Sequence, residues 1–125
     1  MNTNNIGFKG EKAVVRYLRL RFYKILKRNY STRWGELDII AKNRKYLCFV
    51  EVKTRSENSY GSPAEYVDNY KQNRIIKTAY SYLKHNPTML MPRFDIAEVY
   101  HINGKFKINY IKNAFMVTEE NYHNH

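Results

Sequence analysis

Acidic side chains are scarce in this sequence: eleven Asp and Glu stand against twenty-two Lys and Arg, a formal charge of +11 over 125 residues. That imbalance speaks about partners rather than fold. It puts nucleic acid, an anionic membrane surface or an acidic protein at the head of the candidates. Cysteine is scarcer still. The single Cys48 excludes an internal disulfide and a zinc site built on paired thiolates. Within Tyr46-Leu47-Cys48-Phe49-Val50 it reads as a small buried hydrophobe, and a reducing compartment is its natural setting. No run approaches the ~20 apolar residues of a membrane span, and the first ten residues hold no apolar segment of the kind a signal peptide needs. The expectation is a cytoplasmic protein without a membrane partner. Nucleic acid ranks above membrane because no helix reads as basic on one face and broadly apolar on the other. Internal repeats, low-complexity stretches and interior linkers are also missing.

What is present fits a single domain over residues 1–125, with residues 1–5 and 121–125 reading as polar, flexible ends. A chain of this length buries roughly two-thirds of its unfolded surface, enough for one core. Twelve Tyr, six Phe and one Trp offer faces for bases, though core and rim account for most of them. Ala13, Val14, Tyr17 and Leu18 fall at helical spacing and predict a helix over residues 6–21. A short strand over 22–27 follows, then strands over 36–41 and 46–53. The polar Lys42-Asn43-Arg44-Lys45 is short enough to join these two as an antiparallel hairpin. After a polar loop at 56–61, Ser62-Pro63-Ala64-Glu65 combines an N-cap serine, a first-turn proline and a capping-box glutamate. The helix that follows runs to about residue 83, with a second start at Asp68, and Asn86-Pro87 ends it. Strands over 93–100 and 105–111 flank the turn signal Asn103-Gly104. The order is αβββαββ, an α/β chain with a mixed central sheet flanked by helices.

The chemistry concentrates in Asp38 and in Glu51-Val52-Lys53. Residues two apart in a strand share a face, so Glu51 and Lys53 point together. With Asn43-Arg44 as a two-residue turn, Asp38 faces Phe49 and lies diagonal to Glu51 on that same face. Two carboxylates with water and a phosphate oxygen make a site that suits Mg²⁺. A metal there polarises a phosphate and helps generate hydroxide. Lys53 orients that nucleophile or offsets charge growing in the transition state. The alternative is a surface salt bridge worth about 0.5 kcal/mol. Leu47, Phe49, Val50 and Val52 argue against it, since they mark a strand buried on both faces, where unpaired charge is costly. Glu11 lies three residues before Val14 and seven before Leu18, in line with the buried stripe of its helix. A carboxylate there calls for a partner, either a metal or a salt bridge.

The runs Gly35-Glu36-Leu37-Asp38-Ile39-Ile40-Ala41, Phe49-Val50-Glu51-Val52-Lys53-Thr54-Arg55 and Gly61-Ser62-Pro63 resemble the YraN-like family of uncharacterised bacterial proteins. Arg93-Phe94-Asp95 and Asn113-Ala114-Phe115 extend the likeness over nearly the whole chain. That family is placed in the restriction-endonuclease-like PD-(D/E)xK superfamily, near archaeal Holliday-junction resolvases. The resemblance implies an αβββαβ core, dependence on Mg²⁺ or Mn²⁺, and a site of Glu11, Asp38, Glu51 and Lys53, with the three carboxylates as metal ligands. Leu37 stands where the superfamily signature has proline, as is common in the YraN-like family. Resolvase-like relatives commonly dimerise, which makes a homodimer a candidate assembly.

Around this centre, Glu36 reads as an extra ligand or as a brace for the loop before its strand. Arg33 and Arg55 flank the site, where a guanidinium grips phosphate or simply meets solvent. Lys71 and Gln72 open the second long helix, where superfamily relatives often place a Lys or Gln near the metal. Asp95 suits a structural hydrogen-bonding role. The basic runs 16–28 and 42–45 suit phosphate contact or a solvated face. The expected function is metal-dependent hydrolysis of DNA phosphodiester bonds, branched or damaged DNA included. The alternatives are a non-catalytic nucleic-acid-binding protein of the same fold, and an adaptor for an acidic protein.

Overall fold

A computed structural model describes residues 4–64 and 67–122, and among these α1 (Asn4–Leu20) leads into β1 (Lys24–Thr32), β2 (Gly35–Lys42) and β3 (Tyr46–Arg55). A single 3₁₀ turn, Glu57–Ser59, precedes α2 (Asn69–His85), β4 (Met91–Ile102) and β5 (Lys105–Phe115). The five strands form one sheet in the order β1-β2-β3-β4-β5. Neighbours are antiparallel except β3 and β4, which run parallel and are joined by the crossover through α2. The αβββαββ order and the mixed sheet flanked by two helices are those expected from the sequence.

The middle strands alternate apolar residues toward both faces, and each face takes one helix. Cys48 and Val50 join Ile39, Ala41, Ala97 and Val99 under Val14, Val15 and Leu18 of α1. Leu47 and Phe49 join Ile40, Phe94 and Ile96 under Ile75, Ile76, Ala79 and Tyr82 of α2. Cys48 is buried, and burial pushes its thiol up to about 12, so it stays protonated. The sheet edges are β1 and β5. Lys24, Lys27, Lys105 and Lys107 are exposed on them, charges that discourage edge-to-edge pairing.

The first strand begins later and runs further than expected. Phe22 belongs to a turn, with φ of 68°. The Tyr23 N–H donates to the Leu18 carbonyl and the Phe22 N–H to that of Arg19, both at 3.0 Å. These are the two bonds of a Schellman cap, with Leu18 and Tyr23 packed in the same core cluster beneath it. The strand persists to Thr32, and a bulge between Ile25 and Lys27 with a left-handed Asn29 hides the alternation that marks a strand.

The hairpin turn also differs. The Asn43 side chain accepts the Lys45 and Tyr46 amides at 2.9 and 2.7 Å, which makes Arg44-Lys45 the turn and pairs Lys42 with Leu47. The register therefore moves by two residues, and side-chain parity is kept.

Helix α2 starts at the Asp68 N-cap, whose carboxylate accepts the Lys71 amide at 2.8 Å. Ser62, Pro63 and Ala64 are not helical, and Glu65 of the anticipated capping box lies outside the described residues. Near the ends, Asn4 and Asn5 belong to α1, and Asn121 is only 2% exposed. Asn121 donates to the Gln72 carboxamide oxygen and to the Met116 carbonyl, both at 2.7 Å, which pins the last segment to α2.

Two buried ion pairs involve β4, one within the strand and one across to Arg55 of β3. The Arg93 Nε donates to both oxygens of Asp95, at 2.9 and 3.2 Å, and its NH2 group to Oδ2 at 2.9 Å. Tyr110 and the Asn113 amide complete the Asp95 shell at 2.7 and 2.9 Å. This is the structural role anticipated for Asp95. Arg55 donates to Glu98 at 2.8 Å and Asn109 does so at 2.9 Å. Each charge is bonded on several sides, which such burial requires.

Two stability measurements test this description. Phe22 is 91% exposed, so Phe22→Gly removes little packing and relieves the left-handed backbone. Urea unfolding should show a gain of roughly 0.5–1 kcal/mol. Asp95→Ala strands the Arg93 charge in the core and should cost about 3–5 kcal/mol in the same assay.

Candidate functional site

The ladder between β2 and β3 runs from Lys42/Leu47 to Ile39/Val50 and stops there. The next residues on the two strands are Asp38 and Glu51. Here the Asp38 side chain takes over the strand's role: its Oδ2 accepts the Val52 N–H at 2.7 Å. On the other side, β1 pairs Arg28 with Ile39 and Tyr30 with Leu37 but skips the position between, where Asn29 has φ of 53°. The alternation of β2 inverts across this point, since Leu37 packs in the α2-side core and Ile39 in the α1-side core. Asp38 thus lies where both ladders of its strand are interrupted. A carboxylate occupies the gap.

Burial raises the Asp38 carboxyl to about 7, helped by the negative charges of Glu51, Glu11 and Glu36 and opposed by the Val52 N–H. Such a group at neutral pH accommodates a proton or a cation more readily than a bare charge. Glu51 is on the next strand, its side chain 16% exposed, with Oε2 3.2 Å from Lys71 Nζ on the first turn of α2. Lys53 shares the parity of Glu51, at the point where β3 passes from buried to half-exposed.

Of the three carboxylates expected around a metal, the structure sets Asp38 and Glu51 on facing strands and gives Glu11 a different setting. Glu11 Oε1 accepts from Arg28 Nε and NH2 at 3.3 and 3.1 Å and from Asn29 Nδ2 at 3.2 Å. Consecutive strand residues ordinarily point to opposite faces. The left-handed Asn29 turns its side chain onto the side of Arg28, so both grip one oxygen. Glu11 and Lys71 come from different layers, α1 on the Val50 face and α2 on the Glu51 side, and the Glu11 charge still acts on Asp38. Among the described residues no group of three or more His, Cys, Asp or Glu is disposed to hold a metal ion. The acid pair nonetheless fits Mg²⁺ or Mn²⁺, which take one or two carboxylates with water completing the shell. Burial first, and the neighbouring carboxylates second, leave Asp38 better suited to a proton or a cation than to a bare charge.

The flanking residues divide. The Arg55 guanidinium, expected to flank the site, is turned inward to Glu98, and Gln72, expected near the metal, bonds through its amide to the Val67 carbonyl and Asn121. Glu36 accepts from Ser31 at 3.0 Å, the bracing role. Arg33 is exposed, with Cζ 4.6 Å from the centroid of the Trp34 ring.

Residues 10–99 match the family described as Uncharacterised protein family UPF0102. The chain belongs to the UPF0102 family. A UPF0102 protein of Caldanaerobacter subterraneus subsp. tengcongensis is 43% identical over 119 residues, covering 92% of this chain and 98% of that protein. One from Alkaliphilus oremlandii is 45% identical over 113 residues, covering 88% and 97%. The UPF0102 match takes in Glu11, Asp38, Glu51, Lys53 and Lys71 and ends before β5.

The sequence reading missed Asn29 as a holder of Glu11, because a left-handed strand residue leaves no periodic trace. It also passed over Arg74 and Lys77. Their signal was there: with Lys71 they recur every three residues on a helix without a single acidic residue.

The Asp38 carboxyl gives a pH test. Its value rises from 3.8 to about 7 on folding, so between those values the folded protein keeps a proton that the unfolded chain has lost. Its contribution is full below about pH 4 and is lost as pH rises through about 7. Asp38→Asn keeps an acceptor for Val52 without the charge. By urea unfolding it should exceed wild type at pH 8 by on the order of 2–4 kcal/mol, with the difference vanishing near pH 4.

Proposed function

We propose that this protein is a metal-dependent nuclease that hydrolyses DNA phosphodiester bonds, with Asp38 and Glu51 holding Mg²⁺ or Mn²⁺. The observation that carries this reading is the half-buried acid pair where β2 and β3 part, with the Asp38 carboxyl pushed up by burial and, beyond that, by its negative neighbours. A bound divalent ion supplies Lewis acidity toward a phosphate oxygen and acidifies a coordinated water. Lys53, on the same strand face as Glu51, orients the attacking water or offsets charge that develops on the phosphate. Lys71 holds Glu51 in place and lends positive charge where the phosphate enters. Glu11 and its Arg28 and Asn29 partners fix the opposite wall and add to the field at Asp38. The net charge of +11 suits a polyanionic substrate.

The resemblance to the YraN-like proteins, and through them to PD-(D/E)xK nucleases and archaeal Holliday-junction resolvases, supports phosphodiester chemistry and points to branched DNA. One observation favours a second reading, a non-catalytic nucleic-acid-binding protein. Glu11 and Glu51 already have cationic partners, Arg28 and Lys71, which reduces the charge left for a metal.

Cleavage of linear, flapped and four-way DNA in Mg²⁺ or Mn²⁺ separates the two. The nuclease reading expects Asp38→Ala and Lys53→Met to lower the rate by roughly 10²-fold or more. Equal rates for wild type and Asp38→Ala overturn the assignment. Salt-sensitive binding with no cleavage in any metal establishes the second reading instead.

A further inference from the structure

From the acid pair, a row of cations and aromatics leads away across α2 to the turn between β1 and β2. Lys71 meets Glu51 at 3.2 Å. One turn on, Arg74 Nε lies beside Gly35, 3.9 Å from where a Cβ would stand, and Lys77 Nζ lies 4.3 Å from the Trp34 ring centroid. Arg33 Cζ lies 4.6 Å from the centroid of the same ring, at the β1–β2 turn. The three α2 residues span about 9 Å of helix axis, the reach of a few nucleotide steps of about 3.4 Å each. Between Asn69 and His85 no acidic residue interrupts the row.

Trp34 is the informative member. It belongs to neither core cluster, although an indole is among the largest apolar groups a core can use. Its amide is held by Thr32 Oγ1 at 3.1 Å, which fixes the turn that presents it. Tyr70 repeats the arrangement one helical turn before Arg74: it is 72% exposed and Arg74 Cζ lies 5.7 Å from its ring centroid. Aromatic faces interleaved with Lys and Arg are the make-up of a single-strand binding surface, where bases stack and cations track phosphates. A closed duplex offers such faces nothing, because its bases are already stacked on one another.

We propose that this face binds an unpaired nucleic-acid strand, with its phosphates along Arg74 and Lys77 and a base stacked on Trp34, and delivers it to the acid pair. The proposal rests on the phosphodiester reading of Asp38 and Glu51 and adds the substrate class: nucleic acid with unpaired nucleotides next to the bond addressed.

Trp34 is the single tryptophan of the chain, so its fluorescence reports this surface alone. The experiment titrates the full chain, in EDTA so that nothing is cut, with a single-stranded DNA oligonucleotide, the matching blunt duplex and polyglutamate. The single strand should quench Trp34 and the other two should not. Trp34→Leu should weaken binding of a labelled single strand roughly 5- to 100-fold by anisotropy, with Trp34→Phe recovering most of the loss. Arg74→Gln with Lys77→Gln should flatten the slope of log affinity against log salt by roughly 0.7 for each contact. Circular dichroism confirms that each variant is folded. Binding without quenching, equal quenching by duplex or polyglutamate, or undiminished binding by folded Trp34→Leu overturns the proposal. Cleavage assays answer separately: quenching without cleavage in Mg²⁺ or Mn²⁺ sinks the nuclease reading and leaves the strand-binding surface standing, whereas cleavage without quenching does the reverse.

Discussion

Val52 gives its N–H to the carboxylate of Asp38 rather than to a carbonyl of the neighbouring strand, and much of the molecule is arranged around that substitution. A strand amide left without a ladder partner in a half-buried place needs an acceptor. A carboxylate supplies one, and in doing so brings a charge to the boundary between core and solvent. The strands diverge there, Glu51 faces the opening, and Lys71 on the crossover helix reaches it. Remove the hydrogen bond and Asp38 loses the contact that favours its ionised form, while the charges that oppose ionisation remain.

The same device occurs twice, and the comparison is instructive. Asp95 also sits where a ladder is interrupted, between Phe94/Phe115 and Ile96/Ile111, with a left-handed asparagine, Asn113, on the partner strand. It too accepts a backbone amide. Asp95, however, is bonded directly to Arg93 and Tyr110, and its surroundings are built to keep one charge buried and still. The dominant charged neighbours of Asp38 are other carboxylates. One architecture, with two different sets of neighbours, separates a structural aspartate from one suited to chemistry.

Much of this was legible in the sequence because periodicity records which face a residue occupies. Glu51 and Lys53 alternate with Val50 and Val52, and that parity survived a two-residue error in the hairpin register. The error came from the turn: Asn43 satisfies two amides with its side chain, which moves the turn to Arg44-Lys45. Left-handed residues were the main blind spot. Phe22, Asn29 and Asn113 bend the chain without changing its hydrophobic pattern, so the start of β1, the hold on Glu11 and the full length of β5 were not readable. Competition among caps was another. Ser62 and Asp68 both suit a helix start, and only the packing of Val67 into the core shows why the later one is used. Arg55 illustrates a third limit, since a guanidinium buried on Glu98 and one that meets solvent look alike in sequence.

The parallel pairing of β3 with β4 has a further meaning for how the chain reaches this state. Tyr46 lies beside Met91, 45 residues away, whereas β2 and β3 are joined by a turn of two. Loop closure favours the near pairing first, and non-local strand pairs set the pace of folding. The hairpin can bring Asp38 opposite Glu51 before the crossover helix has docked with Lys71. For that interval the two carboxylates face each other without the cation that moderates them in the finished fold. Early hairpin formation should therefore be easier in mild acid, where a proton on one carboxyl does what the lysine does later.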